Sequence, residues 1–249
     1  MTDTNERARQ IAEGLAAVEH RLEAACAAAG RERDDVTLIV VTKFFPPSDV
    51  RILTCEGVRD IGENRDQEAS AKIAELRAEP GGAPLPRMHF IGQVQTNKAG
   101  SVAGYADAVH SLDRARLARA LDRGAERHGR VLDVLLQVDL RDPAAAGRSS
   151  VSGFARGGAL PAELDELAEV VEQLPGLRLA GLMSVAPLGE EPAAAFERLA
   201  RLRESFVAAH PEATWLSAGM SGDLEQAIAA GATHVRVGSA ILGARPAHG

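Results

Sequence analysis

Lysine is almost missing from this chain. Of its 249 residues, 28 are Lys or Arg, yet only Lys43, Lys72 and Lys98 are lysines. Cysteine is scarce as well: Cys26 and Cys55 stand far apart, outside any CxxC pattern, and read as small packed residues of a reducing compartment. No apolar run approaches the roughly 18 residues that a membrane helix needs. The N-terminal MTDTNERARQ lacks the apolar segment of a secretory signal, so the cytoplasm is the expected compartment and no membrane is expected. Positive charge is in deficit, with a net charge of −7, which excludes a broad nucleic-acid surface but leaves room for a local phosphate pocket. What is present, 45% hydrophobic and 25% charged residues, is the composition of a soluble globular domain. The length suits one α/β barrel, read here as a single domain over 1–249.

The scarcity of lysine gives weight to Lys43, which ends the apolar part of LIVVTKFF (38–45). An arginine supplies positive charge as well as a lysine does. Only the lysine amine can lose its proton in an apolar pocket and attack an aldehyde. Schiff-base chemistry is one reading of Lys43; a strand-end lysine snorkelling to water is the other.

Periodicity places a helix first, over 5–29, with Ile11, Leu15, Val18 and Leu22 on one stripe and Gly30 as its stop. Eight short apolar runs follow at 36–43, 58–64, 88–92, 108–113, 131–140, 177–185, 214–219 and 233–243. A helical pattern follows each of the first seven, the first starting at about Ser48 as N-cap. Near-continuous apolar strands alternating with helices predict a parallel sheet, and eight units predict a closed (β/α)8 barrel. No helix is expected after strand eight, and the extra N-terminal helix is expected to fill that vacancy. The rival, an open doubly wound sheet, lacks a GxGxxG after strand one. The most loop-like stretch is 141–159, after strand five.

Barrel chemistry sits at the C-terminal strand ends. Strand one ends in Lys43, strand two in Asn64, strand seven in SAGMSGD (217–223), and strand eight in Arg236-Val237-Gly238-Ser239. Backbone N–H groups with the Ser221 hydroxyl, and close backbone approach at Gly238 beside Ser239, suit an anion. The alternative is ordinary turn chemistry, with Ser221 or Asp223 as a helix N-cap. A lysine facing a phosphate cradle fits two ligands: a sugar phosphate in a lysine-dependent aldolase, or pyridoxal 5′-phosphate.

Six blocks, VTKFFP (41–46), IGENRDQE (61–68), HFIGQVQTNK (89–98), GLMSVAP (181–187), LSAGMSGDLEQAI (216–228) and VRVGSAILG (235–243), resemble the YggS/PROSC family of pyridoxal phosphate homeostasis proteins in order and spacing. The resemblance implies a barrel like the N-terminal domain of alanine racemase, with the cofactor on Lys43 as a Schiff base. It implies a phosphate held by Ser221, Gly238 and Ser239 with Met220 and Ser217 alongside, Arg236 facing the pyridine nitrogen, and Asn64 near the cofactor. Ser239 keeps a hydroxyl where many relatives carry threonine, and the loop after strand five departs from theirs.

A racemase needs an acid/base group on each face of the cofactor. The chain has one tyrosine, Tyr105, expected as a packing residue away from Lys43 with its hydroxyl in water. A guanidinium at the pyridine nitrogen disfavours protonation there and weakens the ring as an electron sink. The expectation is a monomeric carrier that holds the cofactor, limits free aldehyde and serves apo-enzymes that depend on pyridoxal phosphate. A modest amino-acid racemase and a cofactor-free Schiff-base aldolase are the alternatives. His89 and His110 read as satisfied structural histidines, their spacing suiting neither zinc nor a triad. Ser217 and Ser221 lack a GxSxG elbow. Lys98 reads as a surface lysine at a helix start, and Lys72 as a helix-surface partner of Glu68 and Glu75.

Overall fold

The computed structural model describes residues 2–78, 84–141 and 157–244; most of the expected loop, 142–156, lies outside them. The chain begins with helix α1 (Thr2–Ala28) and then alternates. It runs β1 (Thr37–Val41), α2 (Pro47–Cys55), β2 (Asp60–Glu63), α3 (Asp66–Ala78), β3 (Arg87–Phe90), α4 (Ala99–Tyr105), β4 (Ala108–Leu112) and α5 (Ala115–Arg127). It continues with β5 (Leu132–Gln137), α6 (Leu164–Glu172), β6 (Leu177–Met183), α7 (Pro192–Ala209), β7 (Trp215–Ser217), α8 (Leu224–Ala229), β8 (His234–Val237) and α9 (Ser239–Leu242). The eight strands are parallel and close in sequence order, with β8 pairing β1 from Thr37↔His234 to Val40↔Val237. The expected (β/α)8 barrel is present.

Alternation along each strand sorts side chains to the two faces of the wall. Outward residues such as Val40, Ile61, Met88, Phe90, Val109 and Val134 are buried against the helices. Each such burial contributes about 1.5–3 kcal/mol, so the ring of helices is held mainly by apolar area. Helix α1 ends where expected: Arg31 N–H bonds Cys26 C=O across Gly30, which has φ +66°. It then lies against α8 and α9, closing the gap in the outer ring. At Gly14 a Cβ would stand 2.6 Å from the Ile241 carbonyl oxygen, so only glycine allows this approach.

Four expectations need correction. Strand eight stops at Val237, and the apolar run beyond it is the short helix α9, which packs Ile241 and Leu242 onto α1. The run read as strand because buried helix and buried strand are both continuously apolar. Helix α2 starts at Pro47 with Pro46 in the cap position, not Ser48, because proline at N1 presets the helical φ. Cys26 is buried as expected, but Cys55 is exposed at the end of α2. Lys72 is not a surface residue of α3. It is buried, and its Nζ pairs with Glu63 and donates 2.8 Å to the Thr42 carbonyl. Among the described residues, no helix is long and apolar enough to cross a membrane.

Candidate functional site

Lys43 stands two residues past β1, in the turn that leaves the strand, and is half-buried. Its Nζ lies 6.0 Å from the Phe44 ring centroid. Phe44 has φ +69°, a left-handed conformation that costs a bulky residue about 1–3 kcal/mol and clusters at functional sites. On the other side, Lys72 and Glu63 fix Thr42: the lysine holds its carbonyl, and its hydroxyl donates 2.8 Å to Glu63. Lys43 is therefore framed by a strained residue after it and a buried ion pair behind the residue before it.

The β1–β2 register, Val41↔Gly62, carries upward to bring Asn64 level with Lys43. Asn64 Oδ1 is buried without a hydrogen-bond partner among the described residues, as is Glu63 Oε2. An orphaned buried amide oxygen at a strand end calls for a ligand or water. On the other flank, β8 adjoins β1. A Cβ on Gly238 would meet the Val41 carbonyl oxygen at 3.0 Å and Val41 Cβ at 3.2 Å, so the chain passes tightly beside β1 just below Lys43.

The loops expected to receive an anion follow β7 and β8. Met220 N–H is spent on Asp223 Oδ1 (2.6 Å), so Asp223 closes the turn, and the cap position of α8 is Asp223 rather than Ser221. Ser221 and Gly222 make no N–H bond to a backbone carbonyl among the described residues. Ser239 opens α9, where first-turn N–H groups have no intrahelical acceptor. Ser239 and Met220 are exposed and Ser221 half-buried, so these groups are open to solvent.

Ser217 and Arg236 lie deeper. Arg236 is 5% exposed; its Nη1 donates to Ser217 Oγ at 2.6 Å and its Nη2 to the Ser184 carbonyl at 2.9 Å. Burial pushes its pKa down to about 10, with the Asp223 charge opposing, so it stays cationic at neutral pH. Beneath it the lumen holds His89, His110 and His234 in ring contact. The first two are satisfied, as expected, and they also join Asp60 to Ser217 and Arg236, a link that spacing along the chain does not reveal. The available signal was a polar residue in the middle of each apolar run. Among the described residues, no cluster could hold a metal ion.

Tyr105 is a packing residue away from Lys43, as expected, but its hydroxyl is not in water. It is buried outside the wall, with its ring 6.5 Å from Phe90 and its hydroxyl donating to Asp66 at 3.3 Å. Burial, then the Asp66 charge, push its pKa up. Lys98, expected at the surface, pairs with the same Asp66 at 3.6 Å and is half-exposed. A cavity of about 550 Å³ opens at the opposite barrel end, but its Arg87 and Arg178 both pair with Asp133, and barrel chemistry does not occupy that face.

Comparison with known proteins bears on the fold and the family. The family model of the alanine racemase N-terminal domain matches residues 14–246. The pyridoxal phosphate homeostasis protein of Mycobacterium tuberculosis is 42% identical over 96% of this chain and 95% of its own. That of Escherichia coli is 39% identical over 94% and 97%. Among solved structures, PipY of Synechococcus elongatus with pyridoxal phosphate bound superposes with a TM-score of 0.75 at 34% identity, covering 94% of this chain and all of PipY. An alanine racemase from Clostridium difficile superposes at 0.64 with 15% identity, covering 92% of this chain and 57% of the racemase, a likeness of fold alone. On identity carried along nearly its whole length, the chain belongs to the family of pyridoxal phosphate homeostasis proteins.

Proposed function

We propose that this protein holds pyridoxal 5′-phosphate reversibly on Lys43 and serves cofactor homeostasis and delivery. The observation that carries the reading is the pairing of Lys43, framed at the β1 rim, with the orphaned Asn64 Oδ1 level with it and N–H groups past β7 and β8 that make no backbone hydrogen bond among the described residues. The cofactor would bring an aldehyde for a lysine amine and a phosphate for backbone donors. The residues present fit both demands. Lys43 Nζ would condense with the aldehyde and release water. Ser221, Gly238 and Ser239 would receive the phosphate through N–H groups and hydroxyls, with Met220 alongside at the open mouth. Asn64 would orient the cofactor from the β2 side, and Arg236 would lie along the pyridine edge without giving up its proton.

The carrier reading is favoured over a racemase by Tyr105. Its hydroxyl is committed to Asp66 behind the barrel wall, so it supplies no acid or base inside. The cofactor-free aldolase leaves the relatives' shared cofactor unexplained. We take residues 1–249 as one working domain, acting as a cytoplasmic monomer that passes cofactor to apo-enzymes.

The test is direct. Protein incubated with pyridoxal phosphate should turn yellow, and borohydride reduction followed by peptide mapping should place the cofactor mass on Lys43. Mapping to Lys72 or Lys98, or a colourless protein, would overturn the reading. Chiral chromatography of single L-amino acids incubated with the loaded protein should show no turnover on the scale of a dedicated racemase.

A further inference from the structure

The lumen below Arg236 carries side chains that cofactor binding does not use. Asp60 Oδ1 lies 2.8 Å from His89 Nε2, and His89 Nδ1 lies 2.8 Å from His110 Nε2. His110 Nδ1 lies 2.9 Å from Ser217 Oγ, which accepts from Arg236 Nη1 at 2.6 Å. The series climbs from Asp60, 20% exposed at the start of β2, through fully buried rings on β3 and β4 to the top of β7 and across to β8.

With both rings neutral, one proton arrangement satisfies every link. The Asp60 carboxylate only accepts, so His89 Nε2 carries the proton and its Nδ1 is bare. His110 Nε2 must then donate to His89, which leaves His110 Nδ1 bare in turn. Ser217 has one hydroxyl proton and gives it to His110. Its oxygen is thereby left to accept from Arg236, which can only donate. Neutral rings are what this interior favours. Burial pushes His89 down against the pull of Asp60, and burial with His89, His234, Arg236 and Arg87 around it pushes His110 well down. Every donor points the same way, from Arg236 down to Asp60.

We propose that His110 and His89 are positioning residues for Arg236. With Asp60 and Ser217 they form a one-way hydrogen-bonded relay that fixes the guanidinium at the cofactor edge and commits the Ser217 hydroxyl to the protein rather than to the ligand. The proposal rests on the cofactor reading above and deepens it. It removes Ser217 from the direct phosphate ligands. Without the relay, Arg236 keeps, among the described residues, its bond to the Ser184 carbonyl and loses the second anchor that sets its plane.

Two measurements test it. In the full chain without cofactor, imidazole 15N NMR should find His89 and His110 neutral and protonated on Nε2 from about pH 6 to about pH 8. An Nδ1–H tautomer, or titration of either ring within that range, overturns the relay. The second is a double-mutant cycle on pyridoxal phosphate affinity. His110→Phe should weaken binding about tenfold in the otherwise unchanged protein and less than about twofold in an Arg236→Gln background. Equal losses in both backgrounds would mean that His110 does not act through Arg236. If His110→Phe fails to fold, Ser217→Ala replaces it in the same cycle, with Ser217→Thr expected to restore binding through its retained hydroxyl. Borohydride labelling separates the two failures. Loss of Lys43 labelling in the unmodified protein defeats the cofactor reading, whereas equal losses with labelling intact defeat the relay alone.

Discussion

Two buried polar networks reach the same rim from opposite faces of the barrel wall. Outside the wall, Lys72, Glu63 and Thr42 form a compact charged cluster that grips the residue before Lys43. Inside it, His89, His110 and Ser217 form a neutral chain whose charges lie at its ends, on Asp60 and Arg236. The contrast follows from solvation. A short ion pair in an apolar layer persists because each charge is matched at contact. A path through the lumen must cross several strands, and neutral rings do this without burying a charge at each step. One network anchors a backbone; the other aims a side chain.

The sharpest way to break the comparison is to remove half of the ion pair. Lys72→Met leaves Glu63 charged and fully buried, and urea titration should show a loss of about 3–5 kcal/mol. The double variant Lys72→Met with Glu63→Gln should recover more than half of that loss. If the single variant costs no more than an exposed ion pair, the cluster is not the anchor described above.

The inner chain should fail through acid instead. Burial holds His89, His110 and His234 below the ordinary histidine value of 6.5, His234 at about 3. Above about pH 6.5 these rings are neutral in both states and add no pH dependence. As pH falls below it, the unfolded chain takes up protons that the folded chain refuses, so stability drops by at most about 1.4 kcal/mol per pH unit for each ring. Urea midpoints between pH 7 and pH 4 should fall steeply, and His234→Phe should flatten the slope. A flat profile would show that the rings titrate normally.

Smaller effects separate buried from exposed partners of one carboxylate. Tyr105→Phe removes a buried hydroxyl bonded to Asp66 and should cost about 1–2 kcal/mol in thermal unfolding, leaving cofactor affinity unchanged. A change in cofactor affinity would place Tyr105 in the site after all. Lys98→Met removes a longer, half-exposed ion pair to the same Asp66, and its cost should stay under about 1 kcal/mol. The three lysines would then rank by placement: Lys43 for chemistry, Lys72 for structure, Lys98 for almost nothing.

Much of the architecture was legible because it rests on local periodicity. The apolar runs located all eight strands, and the chain order of the rim residues put Lys43, Asn64 and the β7 and β8 loops on one face. The misreadings share a cause. Lys72 has Glu68 and Glu75 at helical spacing, but α3 turns it toward Glu63, which spacing along α3 does not reveal. The run after Val237 has one hydropathy and two foldable geometries, and packing against α1 selects the helix. Tyr105 lies 39 residues from Asp66, so no sequence window holds both.

The sequence by itself determined the alternation of strand and helix and the position of Lys43 at the C-terminal end of strand one, because apolar period and chain direction are local properties. Only the tertiary structure decided which buried polar groups meet. Barrel closure brings His110 within hydrogen-bond reach of Ser217 across 107 residues of chain, and Lys72 behind the wall to Glu63, because strand register and helix rotation are set by packing the whole ring at once.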